Sequence, residues 1–191
     1  SSAEVIATAV RTATNGRGLP PVHLWNPPFC GDLDIRIARD GTWFYLGTPI
    51  DRFELVKLFS SILRKENDRY YLVTPVEKVG IIVDDAPFVA VDFSVQGHGE
   101  DQTLSFETHV GDFVEAGTDN PIRFERDPAT GEPSPYVHVR AGLEALIDRK
   151  SFYRLVELCA NETIDDVQWF GLYSKGQFFP IIPSIELHET D

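Results

Sequence analysis

The chain has 191 residues, of which 42% are hydrophobic and 25% charged, a globular balance that excludes wholesale disorder and fibrous architectures. Its formal net charge of −13 leaves no cationic footprint for a polynucleotide and disfavours an anionic membrane surface. The excess is lopsided: residues 1–86 carry 10 Lys/Arg against 11 Asp/Glu, and residues 87–191 carry 7 against 19.

Residues 2–13 read as a helix capped by Ser2, with Val5, Ile6, Ala9 and Val10 on one face. Asn15-Gly16-Arg17-Gly18 ends it and Pro20-Pro21 bars its resumption. Leu33, Ile35 and Ile37 alternate with polar residues as a strand does, Arg39-Asp40-Gly41 turns, and TWFYLG returns. Asp51, with Glu54 three residues on, forms a capping box for a helix over 52–65 whose stripe is Leu55, Leu58, Phe59, Ile62 and Leu63. Asn67-Asp68 breaks it, and 69–74 and 79–83 are strands joined by a turn at 75–78. A polar turn, Asp84-Asp85-Ala86-Pro87, marks a boundary. Beyond it Val89, Val91, Phe93 and Val95 alternate, QGHGEDQ loops, Leu104, Phe106 and Thr108 return, and Gly111-Asp112 turns into a third strand.

The order then repeats. IRIARD at 35–40 matches IRFERD at 122–127, Tyr45 matches Tyr136, and IDR at 50–52 matches IDR at 147–149. LVKL at 55–58 matches LVEL at 155–158, and Ile81-Ile82 matches Ile181-Ile182. Ordered matches of this kind indicate duplication. Residues 33–83 and 120–183 are expected to superpose, with Asp148 capping a second helix whose stripe is Phe152, Leu155, Val156 and Cys159. The fold class is α+β, two domains on a duplicated strand–strand–helix–strand–strand unit. Residues 1–22 are an N-terminal helix and linker, 23–86 a first α+β domain, and 87–191 a larger β-rich domain with one helix and an antiparallel curved sheet.

Cys30 and Cys159 fit no CxxC pattern, which points to a reducing, cytoplasmic compartment. No segment approaches the ~20 apolar residues that span a bilayer. Methionine is absent, so the start reads as processed or trimmed. His23, His98, His109, His138 and His188 form neither HxxxH nor HxH, so neither a metal nor another cofactor is expected. No GxSxG, Walker loop or GxGxxG supplies a catalytic motif.

Three stretches carry the candidate chemistry. In WNPPFCGD two prolines stiffen a segment that presents Trp25 and Phe29 for stacking, with Asn26 and Cys30 as polar neighbours. In TPVEK, Glu77 and Lys78 sit on a hairpin tip where Lys78 reaches a phosphate or carboxylate. In YVHVR, Tyr136, His138 and Arg140 share one strand face. Each also has a plainer reading, as a packed linker, a surface turn and a solvated outer face.

WNPPFCGDLDIRIARDGTWFYLG, TPVEKVGI, DDAPFVAVDF and DPATGEPSPYVHVRAGLEALIDRKSFYRLVEL resemble the bacterial family labelled domain of unknown function 1285, over about residues 19–183. The resemblance implies two domains with a repeated motif, the second superficially pleckstrin-homology-like. It also implies a nucleotide-type ligand at the domain interface and a role in signal transduction.

The expected function is a non-enzymatic, cytoplasmic binding protein for a small anionic ligand in a cleft between the domains, with a protein partner. Trp25 or Phe29 stacks, Lys78 and Arg140 neutralise charge, and Asn26, Glu77 and His138 hydrogen-bond; Cys30 and Tyr136 line the site. Two other classes stay open: a hydrolase pairing His138 with Glu77 or an Asp, and an interaction scaffold with the cleft packed shut.

Overall fold

The computed structural model describes residues 1–15 and 18–188. Two compact units result: Ser1–Pro87 with Ala141–Leu143, and Phe88–Arg140 with Glu144–Asp191.

Unit 1 begins with α1 (Ala3–Thr14), capped as expected by Ser2, whose hydroxyl accepts from Val5 N at 3.3 Å. Its buried face is Ala3, Ile6, Ala7 and Val10, a regular i, i+3, i+4, i+7 stripe. Val5, expected inside, is 56% exposed, because small Ala3 and Ala7 rather than Val5 and Ala9 complete that stripe. The helix ends at Asn15 in a left-handed conformation, φ 49°; Gly16 and Arg17 of the expected stop lie outside the described residues.

One three-strand meander follows, β1 (Phe29–Ile37), β2 (Trp43–Tyr45) and β3 (Thr48–Pro49). Helix α2 (Phe53–Ser60) then leads to a second, β4 (Leu63–Glu66), β5 (Arg69–Val73) and β6 (Lys78–Val83). They make one sheet, ordered β3-β2-β1-β6-β5-β4, whose central β1/β6 pair is parallel. Helix α2 carries the chain from one edge to the other. It buries Leu55, Val56 and Phe59, and Phe59 stacks on Trp43 with ring centroids 6.1 Å apart.

Two local expectations fail here. The helix stops at Ser60 instead of running to 65, and Ile62 and Leu63 are buried from the approach to β4. Residues of a following strand that fill the same core mimic the next helical turn. Ser60 and Ser61 hydroxyls donate back to Lys57 O and Leu58 O, closing the helix locally. Asn67, at φ 55°, then turns the β4–β5 hairpin rather than breaking a helix. Nor does Asp51 cap: the N-cap position falls to Arg52, one residue later, without a side-chain bond.

Unit 2 holds β7 (Phe88–Gln96), β8 (Thr103–Thr108) and β9 (Phe113–Glu115), then β10 (Ile122–Arg126), β11 (Pro133–Arg140) and β12 (Leu143–Ile147). Their order is β10-β11-β12-β7-β8-β9, with β12 and β7 parallel, so the sheet expected to be antiparallel is mixed. Helix α3 (Arg149–Val156) is capped as expected by Asp148, which accepts from Ser151 N at 2.8 Å. Its expected stripe is cut short. Leu155 is buried and Phe152 meets Phe124 at 6.4 Å, but Val156 is exposed and Cys159 lies past the helix end. A separate sheet, β13 (Ala160–Ile164), β14 (Val167–Ser174) and β15 (Gln177–Pro183), completes the unit.

The two-domain α+β class stands, and three strands, a helix and three strands do recur at β1–β6 and β10–β15. The pairing expected from the sequence matches does not, because β10–β12 and β13–β15 belong to different sheets. The repeat in space is another one. Read from its first strand, each six-stranded sheet runs third, second, first, sixth, fifth, fourth, with the first and sixth strands parallel at the centre. β1–β6 therefore correspond to β7–β12.

The crossover differs. In unit 2 six residues join β9 to β10, at opposite edges. Five gaps of ~4.8 Å put those edges roughly 24 Å apart in a flat sheet, which a fully extended loop just spans. This loop is not extended, since Gly117 N donates to Asn120 O at 3.0 Å. The sheet must curl to bring its edges together.

Candidate functional site

The polar face of the unit 1 sheet gathers the unusual segments. In the parallel β1/β6 pair Phe29 faces Lys78 and Asp32 faces Gly80, so β1 spends one extra residue between them. Gly31 takes that place at φ 96°, a conformation that suits a residue without Cβ. The bulge puts Phe29 and Asp32, three apart, on one face. Gly80 faces Tyr71, and Tyr71 faces Arg64; Arg69 faces Glu66 on the neighbouring hairpin. Gly80 is bare for a reason: a Cβ there would overlap Asp32 Oδ1.

Tyr71 is the hub of this strip and only 8% exposed. Phe29, 49% exposed, meets it edge-on at 5.9 Å. Lys78 Nζ lies 4.7 Å from the Tyr71 ring centroid, and the Arg69 guanidinium lies 5.4 Å from it and 5.7 Å from that of Phe29. Each cation also has a carboxylate, Lys78 with Glu66 at 2.7 Å and Arg69 with Asp32 at 3.1 Å. The result is two cations on two rings, each cation paired with an acid.

Among the residues expected in the site, the structure brings the first two stretches together. Lys78 N donates to Pro28 O at 3.1 Å, tying the proline segment to the start of β6. Arg64 donates to Trp25 O at 2.7 Å and to Val22 O, holding the short turn before it. Trp25 is half-buried, while Asn26 and Cys30 are exposed, and Cys30 Sγ donates to Pro28 O at 3.4 Å. Lys78 is not at a hairpin tip. The tip is Pro75–Glu77, where Thr74 Oγ1 accepts from Val76 N and Glu77 N, and Lys78 opens β6 with its side chain 19% exposed. Glu77 accepts from the Ser1 hydroxyl at 2.8 Å.

The third stretch belongs to unit 2. Tyr136, expected on a polar strand face, is buried, with the Arg123 guanidinium 4.6 Å from its ring centroid. Arg123 is clamped by Glu144 at 2.9 Å and by Glu125, which hold its pKa above the ordinary range. His138 is half-buried, its backbone N–H donating to Pro121 O at 3.0 Å. Arg140 pairs with Asp112 at 3.0 Å and lies over the Phe88 ring at 5.1 Å. Unit 2 also has a cleft of about 530 Å³, lined by Arg126, Thr130, Glu132 and Pro133 against Ile182 and Glu186, and none of the expected residues lines it. The two repeated Arg-Asp pairs divide their work. Asp40 and Asp127 stabilise turns by accepting from Thr42 N and from Ala129 and Thr130 N, while Arg39 pairs with Asp85 and Arg126 with Glu186.

Sequence reasoning missed Tyr71, Arg69 and Glu66. The alternation Arg69-Tyr71-Val73 was the available signal for two of them. Glu66 was hidden by the overlong helix. Among the described residues no group of three His, Cys, Asp or Glu is placed to hold a metal ion, and no helix is long and apolar enough to cross a membrane.

Two family profiles match the chain in succession. Residues 20–86 match the profile described as domain of unknown function (DUF1285), N-terminal domain. Residues 87–181 match that of protein of unknown function (DUF1285), C-terminal domain. A crystal structure of a DUF1285 family protein from Silicibacter pomeroyi DSS-3 is similar at 65% identity and a TM-score of 0.87, over 98% of this chain and 100% of that one. Another, from Shewanella baltica OS155, is similar at 32% identity and a TM-score of 0.51, over 64% of this chain and 90% of that one. A search of curated proteins returned no match.

Proposed function

The chain belongs to the DUF1285 family, and from that premise we propose that it is a non-enzymatic binding protein for a small anionic ligand carrying a planar ring, with a nucleotide as the model compound. The observation that carries this reading is the strip itself. Two cations, Lys78 and Arg69, are gathered round Tyr71, next to a Phe29 ring that is half in solvent. On a chain of net charge −13 an anion is repelled at long range, so it needs specific positive groups at contact. An exposed aromatic with a guanidinium beside it offers a planar ligand a stacking face and a charge at once. Trp25, Asn26 and Cys30 flank Phe29 in sequence and belong to the same proposal. A cytoplasmic location belongs to the same proposal, and the two free thiols suit a reducing compartment.

Thermal-shift and calorimetric titration of the full chain with nucleoside mono- and diphosphates tests it. Binding is expected to weaken more than tenfold in Lys78→Ala, the loss of one charge-assisted bond, and also in Phe29→Ala. Equal affinity of both variants and wild type would take the strip out of the site.

A further inference from the structure

Resting on the reading above, we propose that the strip is self-occluded: Glu66 and Asp32 hold the places that a ligand's anionic groups take, and binding is an exchange of carboxylates at Lys78 and Arg69. The Lys78 side chain is 19% exposed and donates to Glu66 Oε2 at 2.7 Å. A largely desolvated ammonium is costly to leave bare, so Glu66 departs only as another anion arrives. The two acids are free to leave, with side chains 40% and 70% exposed for Glu66 and Asp32, and both regain water when they swing out.

The geometry also selects the ligand. Lys78 Nζ and the Arg69 guanidinium lie 4.7 and 5.4 Å from the Tyr71 ring centroid, which keeps them within about 10 Å of each other, a span that one small molecule with two anionic groups bridges to replace both acids together. A monoanion replaces one and leaves the other pair intact. Arg69 presents a planar fork that suits phosphate and carboxylate equally. Gly80 adds room beneath: with no Cβ, it leaves the Asp32 position open to a bulkier anion. The class is therefore a planar-ring ligand that bears two neighbouring anionic groups, as a diphosphate or as a dicarboxylate, and ring-free compounds probe those groups alone.

The test removes the internal competitor. Inorganic pyrophosphate and glutarate are titrated calorimetrically into wild type, Glu66→Gln and Glu66→Gln/Lys78→Ala at constant ionic strength, with a nucleoside diphosphate as reference. Glu66→Gln keeps the side-chain shape at the end of an edge strand, and its melting temperature serves as the folding control. The expected result is about tenfold tighter binding of at least one dianion by Glu66→Gln, lost again in the double variant. A gain with pyrophosphate alone assigns a diphosphate, and a gain with glutarate alone a dicarboxylate. Unchanged dianion affinity in Glu66→Gln, with the reference nucleotide still bound, overturns the exchange and leaves the functional reading standing. No binding of any of the three compounds by wild type or Glu66→Gln overturns both.

Discussion

The two six-stranded sheets share a strand order and solve its one difficult step in different ways. Both must carry the chain from the third strand, at one edge, to the fourth, at the other. Unit 1 uses α2, whose Phe59 fills the core against Trp43. Unit 2 uses six residues, curls its sheet, and ties the β8–β9 edge to the end of β14. There the Ser174 hydroxyl accepts from Leu104 N at 2.9 Å and donates to Ala116 O at 2.8 Å, and Gln102 donates to Tyr173 O at 3.0 Å. A helix on one face leaves the other face of the unit 1 sheet to polar side chains, and that is where the cation–aromatic strip lies. The lesson is that one strand order fixes neither the curvature of a sheet nor the face left for chemistry.

Substitutions can break this contrast. The largest effect is expected for Phe59→Ala, which empties the crossover core of unit 1 and should cost about 3–5 kcal/mol in denaturant unfolding. Its counterpart, Ser174→Val, strands a buried N–H and a buried carbonyl and should cost about 2–4 kcal/mol. If Ser174→Val proves neutral, the end of β14 is not what holds the β8–β9 edge. Gly80→Ala should cost about 1 kcal/mol or less, because the added methyl only pushes aside the exposed end of Asp32. It should nonetheless break the Asp32–Arg69 pair, visible as a changed Arg69 side-chain NMR signal.

Two smaller effects sharpen the picture of unit 2. Burial pushes the Cys159 thiol up to about 12, so it is protonated at pH 8, whereas Cys30 is exposed. Alkylation there should label Cys30 well before Cys159. Because the folded value of Cys159 is raised, its contribution to stability is complete below the ordinary thiol range and fades as pH rises through about 12. Asp92 has the opposite sign. Arg154 bonds it and lowers its pKa below 3.8, so its contribution holds above that value and is lost as pH falls through the folded one. Asp92→Asn should flatten the acid limb of the stability profile slightly, and an unaltered limb would dismiss the pair.

Much of the fold was legible because alternation and turn residues are local. The strands from Leu33 to Ile37 and from Leu104 to Thr108 and the Asp148 cap follow from neighbours in sequence. What was not legible is pairing. IRIARD and IRFERD look alike because both are strand-to-turn segments with an Asx turn at Asp40 or Asp127, yet one is the central strand β1 and the other the edge strand β10. The site was half legible. Prolines and an unusual turn marked Trp25–Cys30 and Glu77–Lys78, but Tyr71, Arg69 and Glu66 join them only through strand register. Tyr136 and Arg140 were read from alternation alone, which cannot tell a solvated face from one covered by Arg123 or paired with Asp112.

If the polar strip of the unit 1 sheet receives anionic ligands, a backbone and side-chain NMR titration of the full chain with a nucleoside diphosphate gives saturable shifts at Phe29, Asp32, Arg69, Tyr71 and Lys78, with Arg126–Pro133 and Ile182–Leu187 unmoved. Shifts confined to those unit 2 segments, or none at millimolar ligand, would contradict it.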